Sequence, residues 1–449
     1  MRHVDAPKMI FWTLVAVLVF ALGMYSAMSK NIVYKAVKHI QDSFKIVWQE
    51  RNVLTKSIPE YLLQPSRHPG SGVTINKLDK GGDELVLLAG FFGNDSQIRL
   101  IKRNGEIVNS WTARFSEHFS DTPHLRTPPA TDWNVDTHGA LVLPDGSVVF
   151  NYEFSGLVKL DRCGNIVWKL HEMTHHSVEN ALGGGFWVPN RHYRDENEKS
   201  AFPPFTTPFY EDTILKVSDT GEILQEISVP QVFFENGLES LLTATGSYFG
   251  TRDNEVVHLN KVAELTPELA PDFPMFSPGD LLLSLRTYNM LLVVAPDSLK
   301  VKWWQIGPWI RQHDPEFKKE GKIVLFNNNT YPVYSDKFKE NLSEVFSLPP
   351  KTHSNIMELD VDSGRTSVKF GRNDEDLRSG YRGKLELLSN GNILITDFEG
   401  GRAVEVDQQG NPVWQYVNRH DEQNVAELTE VRMYPSTYFS VMDWECSAS

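Results

Sequence analysis

Four histidines occupy matching positions in a pattern that recurs along the chain. His138, His176 and His313 each lie eight residues before a glycine that opens a short apolar run, and His258 precedes a longer version of the same pattern. Equivalent positions of successive repeats converge when the repeats close into a ring. A neutral imidazole at such a point can act as a nucleophile, or as a proton donor and acceptor.

Two other roles for these histidines stay open from the residues alone. Each imidazole could complete a hydrogen-bonding pattern inside the fold, or the four together could bind a metal ion, since histidine is a common ligand. No carboxylates or thiolates share the histidine positions. We therefore do not expect a metal site.

Short strands must position these residues. Each segment that begins at one of these repeat positions is followed by a second segment, such as "LVKLDRCGNIVW" at 157–168. The pattern of this second segment predicts a strand, a turn and a strand. Its Asp, Asn and Gly residues tolerate the positive φ of tight hairpins. Six units of about four strands each predict an all-β fold, a six-bladed β-propeller, with seven or eight blades as the alternative. The predicted blades lie near residues 80–113, 138–170, 176–227, 258–306, 313–370 and 383–417.

The N-terminal part differs from the repeats. Residues 9–28 carry no charge and are long enough to cross a bilayer as one helix. We expect a retained single-pass transmembrane anchor, with a cleaved signal peptide as the alternative. Either way, the bulk of the chain is expected to be exported. The predicted divisions are 1–30 for the anchor or signal, 31–79 for a linker, 80–435 for the propeller and 436–449 for a C-terminal tail.

Charge and cysteine content narrow the partners and the compartment. The 449-residue chain has a net charge of -14 and no block of Lys or Arg, so we expect no nucleic-acid binding. An acidic surface fits a small-molecule or protein partner better. The two cysteines, Cys163 and Cys446, could form one disulfide in an oxidising compartment, but the sequence cannot establish the bond.

Several segments, taken together and in order, resemble the arylsulfotransferases that do not use the nucleotide sulfate donor. They are "HHSVENALGGGFWV", "HLNKVAEL…GDLLLSLR", "RQHDPEFKKEGKIVLFNNN" and "GKLELLSNGNILITDFEGGRAVEVDQQGNPVWQYV". The resemblance covers about residues 80–435. It implies a six-bladed propeller, export (to the periplasm in bacteria), and transfer of a sulfuryl group from an aryl sulfate to a phenol through a sulfated histidine.

The resemblance also implies roles for individual residues. His313 matches the nucleophile, His258 and Asn260 match an H-x-N pair, and Arg286 matches the arginine at the end of the following strand. His176 matches a further catalytic histidine. An arginine would bind the sulfuryl oxygens, the amide of Asn260 would donate a hydrogen bond to developing charge, and His258 or His176 would carry the proton.

Three more residues are candidates for substrate binding, namely His138, Arg311 and Arg382. His138 could substitute for His176, Arg311 lies two residues before His313, and Arg382 precedes the position that a histidine holds in other repeats. The expected partners are an aryl sulfate donor, a phenolic acceptor and the membrane, with a second copy of the chain as a further candidate. No cofactor is expected. The alternative function is a membrane-tethered propeller that binds a ligand or partner without catalysis.

Overall fold

The computed structural model describes residues 6–29, 31–34, 37, 58–77, 82–203, 205, 207–244, 255–330, 353–372, 377–441 and 443–446. The chain divides into two compact units, Met1–Pro59 and Glu60–Ser449. The described part of the first unit contains the helix Ala6–Ser29. Its apolar stretch Pro7–Ser29 is long enough to cross a membrane, a property that retained anchors and signal sequences share.

The second unit is a six-bladed β-propeller in the described residues, as predicted, and the alternative of seven or eight blades is wrong. Every blade is an antiparallel sheet. From the innermost strand outward, blade 1 comprises Leu428–Tyr434, Leu85–Phe92, Asp95–Lys102 and Ile107–Thr112. Blade 2 comprises Thr137–Val142, Val148–Tyr152, Gly156–Leu160 and Ile166–Leu170. Blade 3 comprises Glu179–Asn180, Phe186–Arg194, Phe209–Val217 and Ile223–Ser228.

The other three blades follow the same plan. Blade 4 comprises Leu259–Glu264, Leu281–Leu285, Met290–Val294 and Val301–Ile306; blade 5 comprises His313–Lys318, Lys322–Asn327, Asn355–Asp360 and Thr366–Phe370; blade 6 comprises Lys384–Leu387, Ile393–Asp397, Arg402–Val406, Pro412–Val417 and, outermost, Gly72–Asn76. A two-stranded sheet joins Leu63–Pro65 to Asn424–Ala426. The short helices are Phe115–His118, Val229–Glu235 and Glu239–Ala244, with 3-10 turns at Glu60–Leu62, Asp132–Asn134, Ala270–Asp272, Arg286–Tyr288 and Ser436–Tyr438.

Apolar residues fill the space between every pair of neighbouring blades. In blade 2, Val148 and Phe150 pack toward blade 1, whereas the intervening Val149 packs toward blade 3. Successive side chains of a strand point to opposite faces, so a strand buried on both faces must be apolar at nearly every position. This requirement explains continuous apolar runs such as Met290–Val294, all five residues of which are buried.

The ring closes with strands from both ends of the unit. Leu428–Tyr434 forms the innermost strand of blade 1 by pairing with Leu85–Phe92, so that blade extends beyond the predicted range 80–113. Gly72–Asn76 adds a fifth strand to blade 6 by pairing with Pro412–Val417. The range predicted as a linker, 31–79, therefore includes a strand of the propeller. Closure of this kind leaves few strand edges unpaired.

A disulfide between Cys163 and Cys446 fixes the C-terminal segment to blade 2. Trp444 lies beside it and packs edge-on against Trp111, with ring centroids 6.4 Å apart, and against Phe439 at 5.3 Å. The bond links residues 283 positions apart in the sequence. It therefore restricts the unfolded chain over most of the length of the propeller.

We predict that Cys446→Ser lowers the free energy of unfolding by roughly 2–5 kcal/mol, because the unfolded chain regains the entropy that the bond removes. Denaturant unfolding of the two proteins measures the difference. A reducing agent should shift the wild-type midpoint by a similar amount and leave Cys446→Ser unchanged. A wild-type midpoint that does not respond to reductant would contradict a stabilising disulfide.

Candidate active site

The four histidines that share the repeat position meet at one end of the central channel. The ring centroid of His176 lies 4.2 Å from that of His138, 5.0 Å from that of His258 and 5.9 Å from that of His313. All four side chains are buried. Three of them, His138, His176 and His313, line one small, tightly packed pocket together with Asn260 and Arg382.

Irregular backbone at the start of the inner strands aims these side chains into the channel. His176 and His258 have φ values of 60° and 57°, in the left-handed region that non-glycine residues rarely adopt. The pairing register shifts between Leu259 and Lys261, and between His313 and Glu316. Such bulges re-aim side chains and are frequent beside active sites. The surrounding hydrogen bonds must offset the strain that they introduce.

His313 is held in one orientation and one tautomer. Its Nδ1 lies 2.6 Å from Oδ1 of Asn328 and 3.1 Å from the carbonyl oxygen of Arg311. The Asn328 amide is itself fixed, because Nδ2 donates to the carbonyls of Ser379 at 2.9 Å and Arg382 at 2.7 Å. Both neighbours of Nδ1 are therefore acceptors, so Nδ1 carries the proton and Nε2 carries the lone pair.

Burial keeps the His313 imidazole neutral. Loss of hydration and the nearby charge of Arg286 hold the pKa of His313 well below its usual value. A neutral imidazole with a free Nε2 lone pair is the form that attacks an electrophile. Asn328 does not appear among the sequence-predicted site residues; its only signal is the run of asparagines at the end of the strand Lys322–Asn327.

His258 is oriented by a carboxylate that the sequence did not reveal. Nδ1 of His258 lies 2.7 Å from Oε2 of Glu255. Nε2 is buried and has no hydrogen-bonding partner within the described part of the chain. Burial and the charge of Arg286 lower the pKa of His258 to about 4, although Glu255 acts in the opposite direction. This imidazole can accept a proton from a substrate at Nε2.

The remaining two predicted histidines have weaker partners. Nδ1 of His176 lies 2.7 Å from Nδ1 of its neighbour His175, so one ring donates to the other. Nδ1 of His138 lies 3.7 Å from a carboxylate oxygen of Glu153. Burial holds the pKa values of His138 and His176 well below the usual value. Both rings are accordingly neutral at physiological pH.

Arg286 and Arg311 bring positive charge to the site. Burial and the proximity of Arg311 lower the pKa of Arg286 to about 10, which still leaves it charged at neutral pH. The charge of Arg286 also acts on both His258 and His313. The Arg286 guanidinium also pairs with Glu255 at 3.7 Å, which offsets part of its charge.

Two further predicted residues, Arg382 and Asn260, make contacts with other parts of the protein. The Arg382 guanidinium lies 2.8 Å from Asp136, contacts Glu153, and reaches Glu427 at 3.8 Å, so carboxylates already balance its charge. Nδ2 of Asn260, which we expected to donate to developing charge, donates one hydrogen bond to the Gln312 carbonyl at 2.8 Å. In this structure both side chains hold neighbouring segments in place.

A layer of buried charges lies beside the histidines in the channel. Nζ of Lys384 donates to the carbonyls of His138 at 3.2 Å and His176 at 2.8 Å, and pairs with Glu430 at 2.5 Å. It thereby holds the left-handed backbone of His176. No sequence pattern indicates this role, because Lys384 belongs to the repeat that has a glycine in place of the histidine.

The same layer contains a cluster of three carboxylates, Glu179, Asp314 and Glu316, whose oxygens lie within 4.8 Å of one another. Nζ of Lys261 pairs with them at 2.7, 3.0 and 2.6 Å respectively. Carboxylates at this spacing can bind a metal ion. In this cluster the ammonium group occupies the position that a cation would take.

Comparison with known proteins places the chain in a family. The family described as arylsulfotransferase (ASST) matches residues 139–419. This chain belongs to that family. The match includes His176, His258 and His313 and ends beyond the last strand pair of blade 6. No relative is found among the curated proteins.

Solved structures similar to this member of the arylsulfotransferase family share low identity with it. A protein of unknown function from Bacteroides caccae is 14% identical, with a TM-score of 0.47, over 78% of this chain and 98% of that chain. A catalytically inactive virginiamycin B lyase from Staphylococcus aureus is 10% identical, with a TM-score of 0.35, over 64% and 71%. The WD40 β-propeller domain of Doa1 is 8% identical, with a TM-score of 0.39, over 83% and 100%.

We predict that His258 and His313 stay neutral on acidification from about pH 8 to about pH 5.5, because burial lowers both pKa values. NMR spectra of protein labelled with ¹⁵N at histidine measure the titration. His192 is the control, since its hydrogen bond to Glu226 raises its pKa and it should gain a proton within this range. Titration of His258 near pH 6.5 would show that its site is hydrated.

Proposed function

We propose that this member of the arylsulfotransferase family moves a sulfuryl group from an aryl sulfate to a phenol, with His313 as the nucleophile that carries the group between them. The observation that carries this proposal is the fixed tautomer of His313. Asn328 and the Arg311 carbonyl accept hydrogen bonds from Nδ1–H of the ring, so Nε2 keeps its lone pair. Arg286 supplies positive charge beside the same ring.

In the first step, Nε2 of His313 attacks the sulfur atom and the bond from sulfur to the aryl oxygen breaks. The electron pair of that bond leaves with the phenolate, and the sulfuryl group stays on the imidazole. In the second step, the oxygen of an acceptor phenol attacks sulfur, the nitrogen–sulfur bond breaks and His313 returns to its neutral form. Division into two transfers lowers the barrier of each.

The charges of the site suit this reaction. Negative charge lies on the sulfuryl oxygens and on the departing phenolate, much as in phosphoryl transfer. Arg286 and Arg311 are the cations that would bind the sulfuryl oxygens. A phenol that leaves needs a proton and a phenol that attacks must lose one. The candidates for that exchange are His176, whose ring centroid lies 5.9 Å from that of His313, and His258, 5.0 Å from His176.

The Cys163–Cys446 bond supports an exported propeller. Disulfides persist in oxidising compartments such as the bacterial periplasm, and are rare in the cytosol. The apolar helix Ala6–Ser29 supplies either an anchor or a signal for that export. We therefore propose that the enzyme acts outside the cytoplasm, in the periplasm if the host is bacterial.

We predict that 4-nitrophenyl sulfate with a phenol acceptor releases 4-nitrophenol in the presence of this protein, and that His313→Ala abolishes the release because it removes the nitrogen that accepts the sulfuryl group. Absorbance measures the rate, and mass spectrometry of the quenched donor reaction should find a sulfuryl adduct on the peptide that contains His313.

His192→Ala is the matched control, because His192 is a partly exposed histidine paired with Glu226 rather than a residue of the channel. It should keep wild-type activity. An inactive wild-type protein that nevertheless binds aryl sulfates would favour a ligand-binding propeller instead. Turnover that survives His313→Ala would disprove the assignment of the nucleophile.

A further inference from the structure

Glu255 contacts more groups of the site than its position outside the repeat pattern suggests. Oε2 lies 2.7 Å from Nδ1 of His258 and 3.7 Å from the guanidinium of Arg286. Oε1 lies 2.8 Å from the guanidinium of Arg191. One carboxylate thus bonds to a candidate proton carrier and to two cations, and its side chain is only 19% exposed.

Arg191 fixes this carboxylate in place. Its guanidinium carbon lies 3.4 Å from the centroid of the Phe154 ring and 4.0 Å from that of the Tyr210 ring. Contacts with two aromatic rings restrict the orientation of the planar group. Burial opposes ionisation of Glu255, but its contacts with His258, Arg191 and Arg286 hold its pKa well below the usual value. Glu255 is therefore a fixed negative charge.

We propose that Glu255 is a positioning residue that makes His258, rather than His176, the group that carries the proton in sulfuryl transfer. This inference rests on the proposed function. When the acceptor phenol attacks, its proton moves to Nε2 of His258 while Nδ1–H stays bonded to the carboxylate. When the product leaves, the imidazolium returns this proton to solvent. His258 takes up a proton again when the next donor binds and passes it to the phenolate that leaves, so each turnover is balanced.

The partners of the two histidines explain the choice between them. His258 bonds through Nδ1 to an ionised carboxylate, which stabilises the positive charge that the ring gains. His176 bonds through Nδ1 to another buried, neutral imidazole, that of His175, which offers no negative charge. A proton on His176 would also lie between the three neighbouring histidines of the cluster.

Donor binding strengthens this arrangement. The charged groups that act on His258 are Glu255, Arg286 and Arg191, while the carboxylate of Asp212 accepts its backbone N–H at 2.9 Å. In the empty site the charge of Arg286 opposes protonation of His258. A bound sulfate group paired with Arg286 offsets that charge, so His258 becomes more basic when a donor is present.

The test compares two donors in single turnovers without an acceptor. Phenyl sulfate loses a weakly acidic phenol that needs a proton, whereas 4-nitrophenyl sulfate loses a more acidic phenol that can leave as the anion. We expect Glu255→Gln to slow phenol release from phenyl sulfate by about 100-fold or more, and release from 4-nitrophenyl sulfate by less than about 10-fold. Sulfation of His313 by 4-nitrophenyl sulfate should persist.

Two variants control this comparison. Glu226→Gln alters a histidine–glutamate pair of similar geometry, 2.6 Å from His192, away from the channel, and should slow neither donor. Glu255→Asp keeps the charge, so the ratio of the two donor rates should stay closer to the wild-type ratio than to that of Glu255→Gln. Equal slowing of both donors by Glu255→Gln would reduce Glu255 to a structural role and overturn the inference.

A measurement on the wild-type protein needs no turnover. The ¹⁵N chemical shifts of His258 should show the neutral tautomer with the proton on Nδ1. A proton on Nε2 instead would overturn the inference, because that nitrogen could not accept another proton.

If the wild type releases phenol from neither donor, the proposed function fails. If it releases phenol, but the ratio of the release rates from the two donors is the same in Glu255→Gln as in the wild type, only the role of Glu255 fails.

Discussion

The arrangement of the histidines depends on the buried ion pairs that fill the central channel. Lys384, from blade 6, bonds to backbone carbonyls in blades 2 and 3 and to Glu430 in blade 1. Lys261, from blade 4, pairs with carboxylates of blades 3 and 5. A buried charge is tolerated only when it is paired and hydrogen-bonded. Because these pairs join different blades, they fix the spacing of the inner strands and of the side chains that start them.

Burial affects the histidines and the arginines of the site differently. Loss of hydration lowers the pKa of each histidine far enough to keep it neutral, whereas the higher intrinsic pKa of Arg286 lets it remain charged in the same surroundings. Sulfuryl transfer through histidine needs both conditions, an uncharged nucleophile and a cation for the sulfuryl oxygens. Glu255 adds a negative charge that contacts both His258, at 2.7 Å, and Arg286, at 3.7 Å, so one carboxylate links the imidazole to the cation.

The sequence predicted most of the fold because a propeller repeats its unit. Each blade has the same alternation of strands and turns, and neighbouring blades bury both faces of every sheet, so the apolar runs and glycine turns recur visibly. Blade 1 was harder to predict, since its innermost strand Leu428–Tyr434 comes from the opposite end of the propeller sequence to its neighbour Leu85–Phe92. Pairing between the two ends of a chain leaves no local pattern.

The six-bladed architecture, the family and the four histidines at one repeat position could all be inferred from the amino-acid sequence, because these follow from local periodicity and from motifs in a fixed order. The contacts of each side chain, in contrast, become visible in the folded protein. Asn328, Glu255 and Lys384 lie outside the repeat position, yet they orient His313, His258 and His176. Hydrogen bonds and ion pairs across a channel depend on distances between blades, and these distances are set by packing rather than by the spacing of residues along the chain.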